Sequence, residues 1–192
     1  MAAFTSIFRN RNLMILGFSW TVSRMGSWVT MMAVLAMIVF RGDGGVMESS
    51  GIFLAGLLPV LVFSPLAGKL CDRYNRKWLM IASELLSGLA VLGMVFIDQI
   101  WLIYILLAVQ STAGTIMEPA RQAVMPEIVS KTDLTHANAF MVQVNGAIKI
   151  LAPVMAGALM VVMAPQTAIL LDVVSYILSA IILTRMPNLL PP

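Results

Sequence analysis

Apolar residues run along this chain in six long stretches separated by short polar clusters: Leu13 to Phe40, Ser50 to Leu70, Trp78 to Ile97, Ile100 to Pro119, Leu134 to Met163 and Thr167 to Thr184. Each stretch reaches the ~20 residues, at ~1.5 Å per residue, that an α-helix needs to cross ~30 Å of hydrocarbon. A membrane barrel also satisfies every backbone group in lipid, but its strands alternate polar and apolar positions over about 10 residues. No such alternation appears in this sequence. The pattern therefore predicts an all-α membrane protein, a six-transmembrane-helix bundle forming a single membrane domain over 1–192. Its helices are expected over 12–40, 49–70, 77–97, 100–120, 134–163 and 167–185, with loops over 71–76 and 121–133. Only the second of these loops has room for an extra surface helix, so a large soluble domain is excluded.

The punctuation fits these boundaries. Gly42-Asp43-Gly44-Gly45 predicts a flexible turn, Asp98-Gln99 a tight hairpin, and Ala164-Pro165-Gln166 a turn before the last helix. Thr132 or Asp133 is expected to cap the fifth helix by accepting hydrogen bonds from its first free N–H groups. Arg9 and Arg11 precede an apolar run, as in a signal peptide. Arg24 and Gly26 interrupt that run without ending it, and no small-x-small cleavage pattern follows, so an uncleaved first helix is expected.

Composition agrees: 60% of the 192 residues are hydrophobic and 11% charged, against about 25% charged in ordinary soluble domains. Mean hydropathy is +0.94. The single cysteine, Cys71, precludes an intramolecular disulfide, and the methionines are scattered rather than clustered with His or Cys as a copper site would need. The net charge of +3 is informative through its distribution, and in this apolar chain it does not indicate a nucleic-acid partner. With a cytoplasmic N-terminus and six alternating crossings, one side carries Arg9, Arg11, Lys69, Arg73, Arg76, Lys77, Arg121, Lys131 and Arg185, and the other only Arg41. This bias satisfies the positive-inside rule and predicts that both termini are cytoplasmic.

Five charges fall in Gly68-Lys69-Leu70-Cys71-Asp72-Arg73-Tyr74-Asn75-Arg76-Lys77. Orientation alone accounts for the basic residues but not for Gly68 or for Asp72, whose carboxylate at a membrane boundary needs a partner such as Arg73 or Arg76. The pattern Gly68-x-Leu70-x-Asp72-Arg73-x-x-Arg76-Lys77, between a second and a third crossing, resembles the signature loop of the major facilitator superfamily. The resemblance extends along the chain as the N-terminal six-helix half of such a transporter. It implies that Gly68 allows close contact between two halves, and that Asp72, Arg73, Arg76 and Lys77 belong to a charge network that opens and closes during transport. Asn75 replaces the family's usual Gly, and is the best non-glycine residue for a left-handed backbone. Glu118-Pro119-Ala120-Arg121-Gln122-Ala123-Val124-Met125-Pro126, His136-Ala137-Asn138-Ala139 and Leu171-Asp172-Val173-Val174-Ser175-Tyr176 are similar to bacterial drug and siderophore exporters of the macrolide-efflux and enterobactin-exporter type. Two departures bear on mechanism. Gln110 stands where proton-coupled relatives carry an Arg four residues before a Gly, here Gly114, and Ala152-Pro153-Val154-Met155-Ala156-Gly157 replaces the antiporter G-P-x-x-G-G.

Polar residues inside the apolar stretches are the other candidates, since a charge at the helix centre costs ~2.5–3.5 kcal/mol on insertion scales. Arg24 shares a helical face with Trp20, Ser27 and Trp28, so it is expected either to line a cavity framed by two indoles or to form a structural ion pair. Lys149, with Asn145 one turn before it, lies too deep for its stem to reach the interface and is expected at a cavity as a gating or coupling residue. Gln110, Gly114 and Met117 form a stripe that either lines the cavity or packs between helices. Glu84 and Asp172 are expected to serve as structural hydrogen-bonding groups, and no catalytic or metal role is expected of His136, the lone histidine of the chain.

No catalytic triad, paired catalytic carboxylates, metal-ligand spacing or phosphate loop is visible, so no enzyme and no cofactor is predicted. The expected function is secondary active export of a small amphipathic molecule by alternating access in the bacterial inner membrane. Partners would be the lipid bilayer, the substrate and a second six-helix half from the same or another chain. The alternative is a truncated membrane protein with a structural or interaction role.

Overall fold

The computed structural model of the chain describes residues 7–40 and 45–188. Arg41, residues 42–44 of the expected first turn and residues 189–192 of the C-terminal segment lie outside them. From Arg11 onward seven α-helices follow in order among the described residues: α1 (Arg11–Phe40), α2 (Val46–Arg73), α3 (Arg76–Val95), α4 (Ile100–Gly114), α5 (Met117–Ile128), α6 (Leu134–Val162) and α7 (Pro165–Thr184). Six spans are long and apolar enough to cross a membrane, because α4 and α5 together form one span, Ile100–Ile128.

The break between α4 and α5 has a local cause. Pro119 has no N–H to donate to the Thr115 carbonyl, and its ring collides with that carbonyl in a regular helix. The chain tightens instead. The Thr115 N–H is shared between the Ser111 and Thr112 carbonyls at 3.0 and 3.3 Å, and the Ile116 N–H reaches Ala113 O at 3.2 Å. Regular bonding then resumes at Ala120, so residues 121–128, expected in a loop, are helical. Likewise α2 runs on through Arg73 and leaves only Tyr74 and Asn75 as the turn into α3.

Helix starts follow side-chain chemistry. Asn75 accepts from the Lys77 N–H at 3.0 Å, and its φ of −60° is that of an ordinary N-cap, not the left-handed turn expected there. Pro165 sits at the first position of α7, where its missing N–H costs nothing. Asp133 precedes α6 but makes no side-chain cap; its carboxylate instead accepts from the Ser130 hydroxyl at 2.9 Å.

The helices form an arc. α7 packs between α1 and α3, α1 also packs on α6, and α3 packs on α4, whose other side meets α2. Two apolar clusters fill the bundle. One, around Leu13, Leu16, Met80, Val124, Met125 and Leu183, lies at the end holding the 74–75 turn. The other, around Val34, Val91, Met94, Ile103 and Ile169, lies at the opposite end. Buried Ser19, Ser23, Thr30, Ser83, Glu84, Ser87, Gln110, Asp172 and Ser179 occupy the helix middles between them.

Candidate functional site

The middle layer is built by helical spacing. Ser19, Ser23, Ser27 and Thr30 recur on one face of α1, and Asp172, Tyr176 and Ser179 on one face of α7. Facing one another, they pair off. Ser19 and Ser179 hydroxyls lie 3.0 Å apart. Thr30 donates to one Asp172 oxygen at 2.5 Å and Ser175 to the other at 2.9 Å. Tyr176 OH lies 2.9 Å from Ser27 Oγ and receives the Gln110 amide at 2.9 Å. A Cβ at Gly26 would collide with Asp172 and Ser175, so the glycine is what lets α1 approach α7 at this level. These donors and acceptors satisfy one another in a region without bulk water, where an orphaned group is costly.

Beside this layer opens a cavity of about 630 Å³, walled by α1, α2, α4, α5 and α7. Ile52, Phe53, Leu57, Val60 and Leu107 give it apolar sides, and Arg24, Gln110 and Glu118 its polar points. A second cavity of about 530 Å³ lies between α5 and α6 and includes Arg121, Asn138 and Asn145. Glu118 lines both. Its carboxylate is held by Arg121, at 2.5 and 3.2 Å, and by Gln122 at 2.8 Å.

The residues singled out from the sequence are dispersed through this arrangement. Arg24 and Gln110 line the larger cavity and Asn145 the second. Met117 is buried in the core and borders a small void beside Arg24. Trp20 is buried, with the guanidinium of Arg24 at 5.9 Å and that of Arg121 at 5.3 Å from its ring centroid. Trp28 does not frame Arg24; it packs against both apolar clusters. Lys149 is exposed and lines neither cavity.

The charged turn divides in two. Arg76 and Lys77 are buried. Arg76 forms an ion pair with Glu127 of α5 and donates to Cys71 O at 3.3 Å, while Lys77 Nζ donates to Met186 O at 2.6 Å. Asp72 and Arg73 are exposed, and neither has an ion-pair partner among the described residues. The expected pairing of Asp72 with Arg76 is therefore not formed, because Glu127 takes the guanidinium. Gly68 has no neighbour within 4 Å of where a Cβ would stand.

The sequence reading did not single out Arg121 or Glu127 as interacting groups because it placed residues 121–133 in a loop, nor Glu118 at the end of the expected fourth helix; the i, i+3 spacing of Glu118 and Arg121 was the available signal. It also undervalued the serine stripe of α1, whose i, i+4 spacing is legible.

Six apolar spans among the described residues define a multi-pass membrane protein. Residues 16–191 match the Major Facilitator Superfamily, and the chain belongs to that family of membrane transporters. It is 30% identical over 183 residues to the uncharacterized MFS-type transporter YfiS of Bacillus subtilis, covering 95% of this chain and 44% of that one. It is 29% identical over 175 residues to macrolide efflux protein A of Streptococcus pyogenes, covering 88% and 43%. A macrolide efflux protein A of Enterococcus faecalis matches at 29% over 143 residues, covering 71% and 44%. The chain thus spans less than half the length of these relatives, and its place is the cell membrane.

Proposed function

We propose that this chain is one six-helix half of a secondary active exporter, moving a small amphipathic molecule of drug or siderophore type by alternating access. The observation that carries this reading is the cavity of about 630 Å³, with apolar walls and convergent Arg24, Gln110 and Glu118. Its size and mixed lining suit a drug-sized ligand. Efflux-type relatives support the direction of transport. A second six-helix half would pack on α2 and α6, the ends of the arc, where Gly68 and Gly157 have no neighbour within 4 Å of a Cβ position. Exposed Asp72 and Arg73 are then the switch-loop charges free to pair across that interface, while Arg76 and Lys77 anchor the loop from within. Lys149, exposed on α6, would act at the same interface as a gating residue. The excess of positive charge at the 74–75 end supports a cytoplasmic location for that end and for both termini.

The test is uptake into everted membrane vesicles containing this chain assembled with a complementary six-helix half. Energy-dependent accumulation of a macrolide or siderophore, lost in Arg24→Ala, is expected. No accumulation of either class in the assembled wild type would overturn the export reading.

A further inference from the structure

Among the described residues, two buried side-chain polar atoms lack a protein partner: Trp20 Nε1 and Glu84 Oε2. Both belong to residues lining one internal void of about 30 Å³, bordered also by Ser23, Arg24, Ser83 and Ser87. A cavity needs roughly 10–15 Å³ by such a measure, and two to four polar partners, to hold a water. This void meets both conditions, with room for one or two water molecules. A water there can accept from the indole N–H or donate to the Glu84 carboxylate, the two partnerless groups at this void. The void and the larger cavity share four lining residues, Arg24, Ser27, Gly114 and Tyr176, so the two spaces adjoin at these residues.

We propose that Glu84 is an internal proton-binding site, reached from the substrate cavity through this water with Arg24 as its gate. In the ionised state the carboxylate is balanced by the nearby guanidinium of Arg24. A proton delivered through the water to Oε2 removes that charge and turns the carboxyl into a donor to the same water, releasing Arg24 toward the cavity. The groups facing Glu84 from neighbouring helices are Arg24 and Ser23 on α1, and Asp172, Tyr176 and Ser179 on α7. α4 and α5 contribute Gly114 and Met117 to the void, neither of which titrates. Asp172 is the instructive contrast. It is as deeply buried as Glu84, but Thr30 and Ser175 donate to its two oxygens and it borders neither the void nor the large cavity. Of the two carboxyls, Asp172 has both oxygens bonded by the protein, whereas Glu84, bonded by Ser23 and Ser179, keeps Oε2 without a protein partner at the void.

The role of this site in coupling rests on the transporter reading, but its existence does not, and infrared difference spectroscopy of the purified protein in liposomes reads it without transport. The expected result is a protonated-carboxyl band that grows as pH is lowered and shifts promptly on exchange into D2O. That band is lost in Glu84→Gln, retained at a shifted frequency in Glu84→Asp, and unchanged in Asp172→Asn. A titrating, exchanging band that survives in Glu84→Gln, or a wild type with no such band, would overturn the proposal. In the assembled transporter, Glu84→Gln is expected to lose the dependence of transport on a pH gradient while still binding substrate. Retention of that dependence would sink the coupling role. A wild type that shows the band but transports nothing leaves the proton site standing and counts against the export reading instead.

Discussion

The inner helices of the arc and its two ends solve different problems. Half of the apolar stretch of α3 and 44% of those of α1 and α7 are buried, against 11% for α2 and 17% for α6. α1, α3 and α7 carry most of the buried polar layer and bond it to one another and to α4, where Ser83 and Ser87 donate to the Ala113 and Gln110 carbonyls, at the level where lipid offers no hydrogen bonds. α2 and α6 carry prolines within their length, Pro59, Pro65 and Pro153, and turn most of their side chains outward. The inner helices are built for rigidity, and the ends for contact with something outside the described chain, whether lipid or a second half.

Substitutions that trade on this contrast should separate cleanly in detergent stability and in function. The largest effect is expected from Gly26→Val, where added atoms meet Asp172 and Ser175 with nowhere for them to move. Overpacking of this kind costs about 3 kcal/mol or more when a hydrogen-bonded network must also shift, and a large fall in thermal midpoint measures it. Arg76→Ala removes a buried, charge-assisted pair with Glu127 and should cost about 2 kcal/mol. A double-mutant cycle with Glu127→Ala that shows no coupling would refute that pair. Tyr176→Phe leaves the ring in place but strips two partners, Ser27 and Gln110, for about 1 kcal/mol. Gly68→Ala should leave the stability of this bundle unchanged or slightly raised, since no atom lies near the new methyl and alanine favours a helix. The same change should impair assembly with a second half, measured by co-purification. If Gly68→Ala destabilised this bundle as much as Gly26→Val, the division between inner and end helices would be wrong.

Much of the architecture was legible because lipid enforces one simple rule: a stretch that is apolar for about 20 residues must be helical to satisfy its backbone. Boundaries were less legible. The fourth helix was expected to run unbroken over 100–120, yet Pro119 divides it into α4 and α5, with the N–H groups of Thr115 and Ile116 turning to nearer carbonyls. Arg121 reads as a loop charge, yet Glu118 one turn away neutralises it within the helix. Arg24 and Gln110, singled out as polar residues within apolar stretches, do line the larger cavity. The partner of Arg76 was not, because Glu127 lies 51 residues away and no local spacing connects them. Trp28 shares a helical face with Arg24 in sequence, but the apolar clusters claim its ring.

The ammonium of Lys77 held by the Met186 carbonyl ties the first turn of α3 to the chain just beyond α7. Lys77 and Met186 are both buried, so the bond is shielded from competing water. The two places are 109 residues apart in sequence, yet mechanically they are one joint. A tilt of the 74–75 turn must pull on the strand of chain leaving the last helix, and tension on that strand must be felt at the turn.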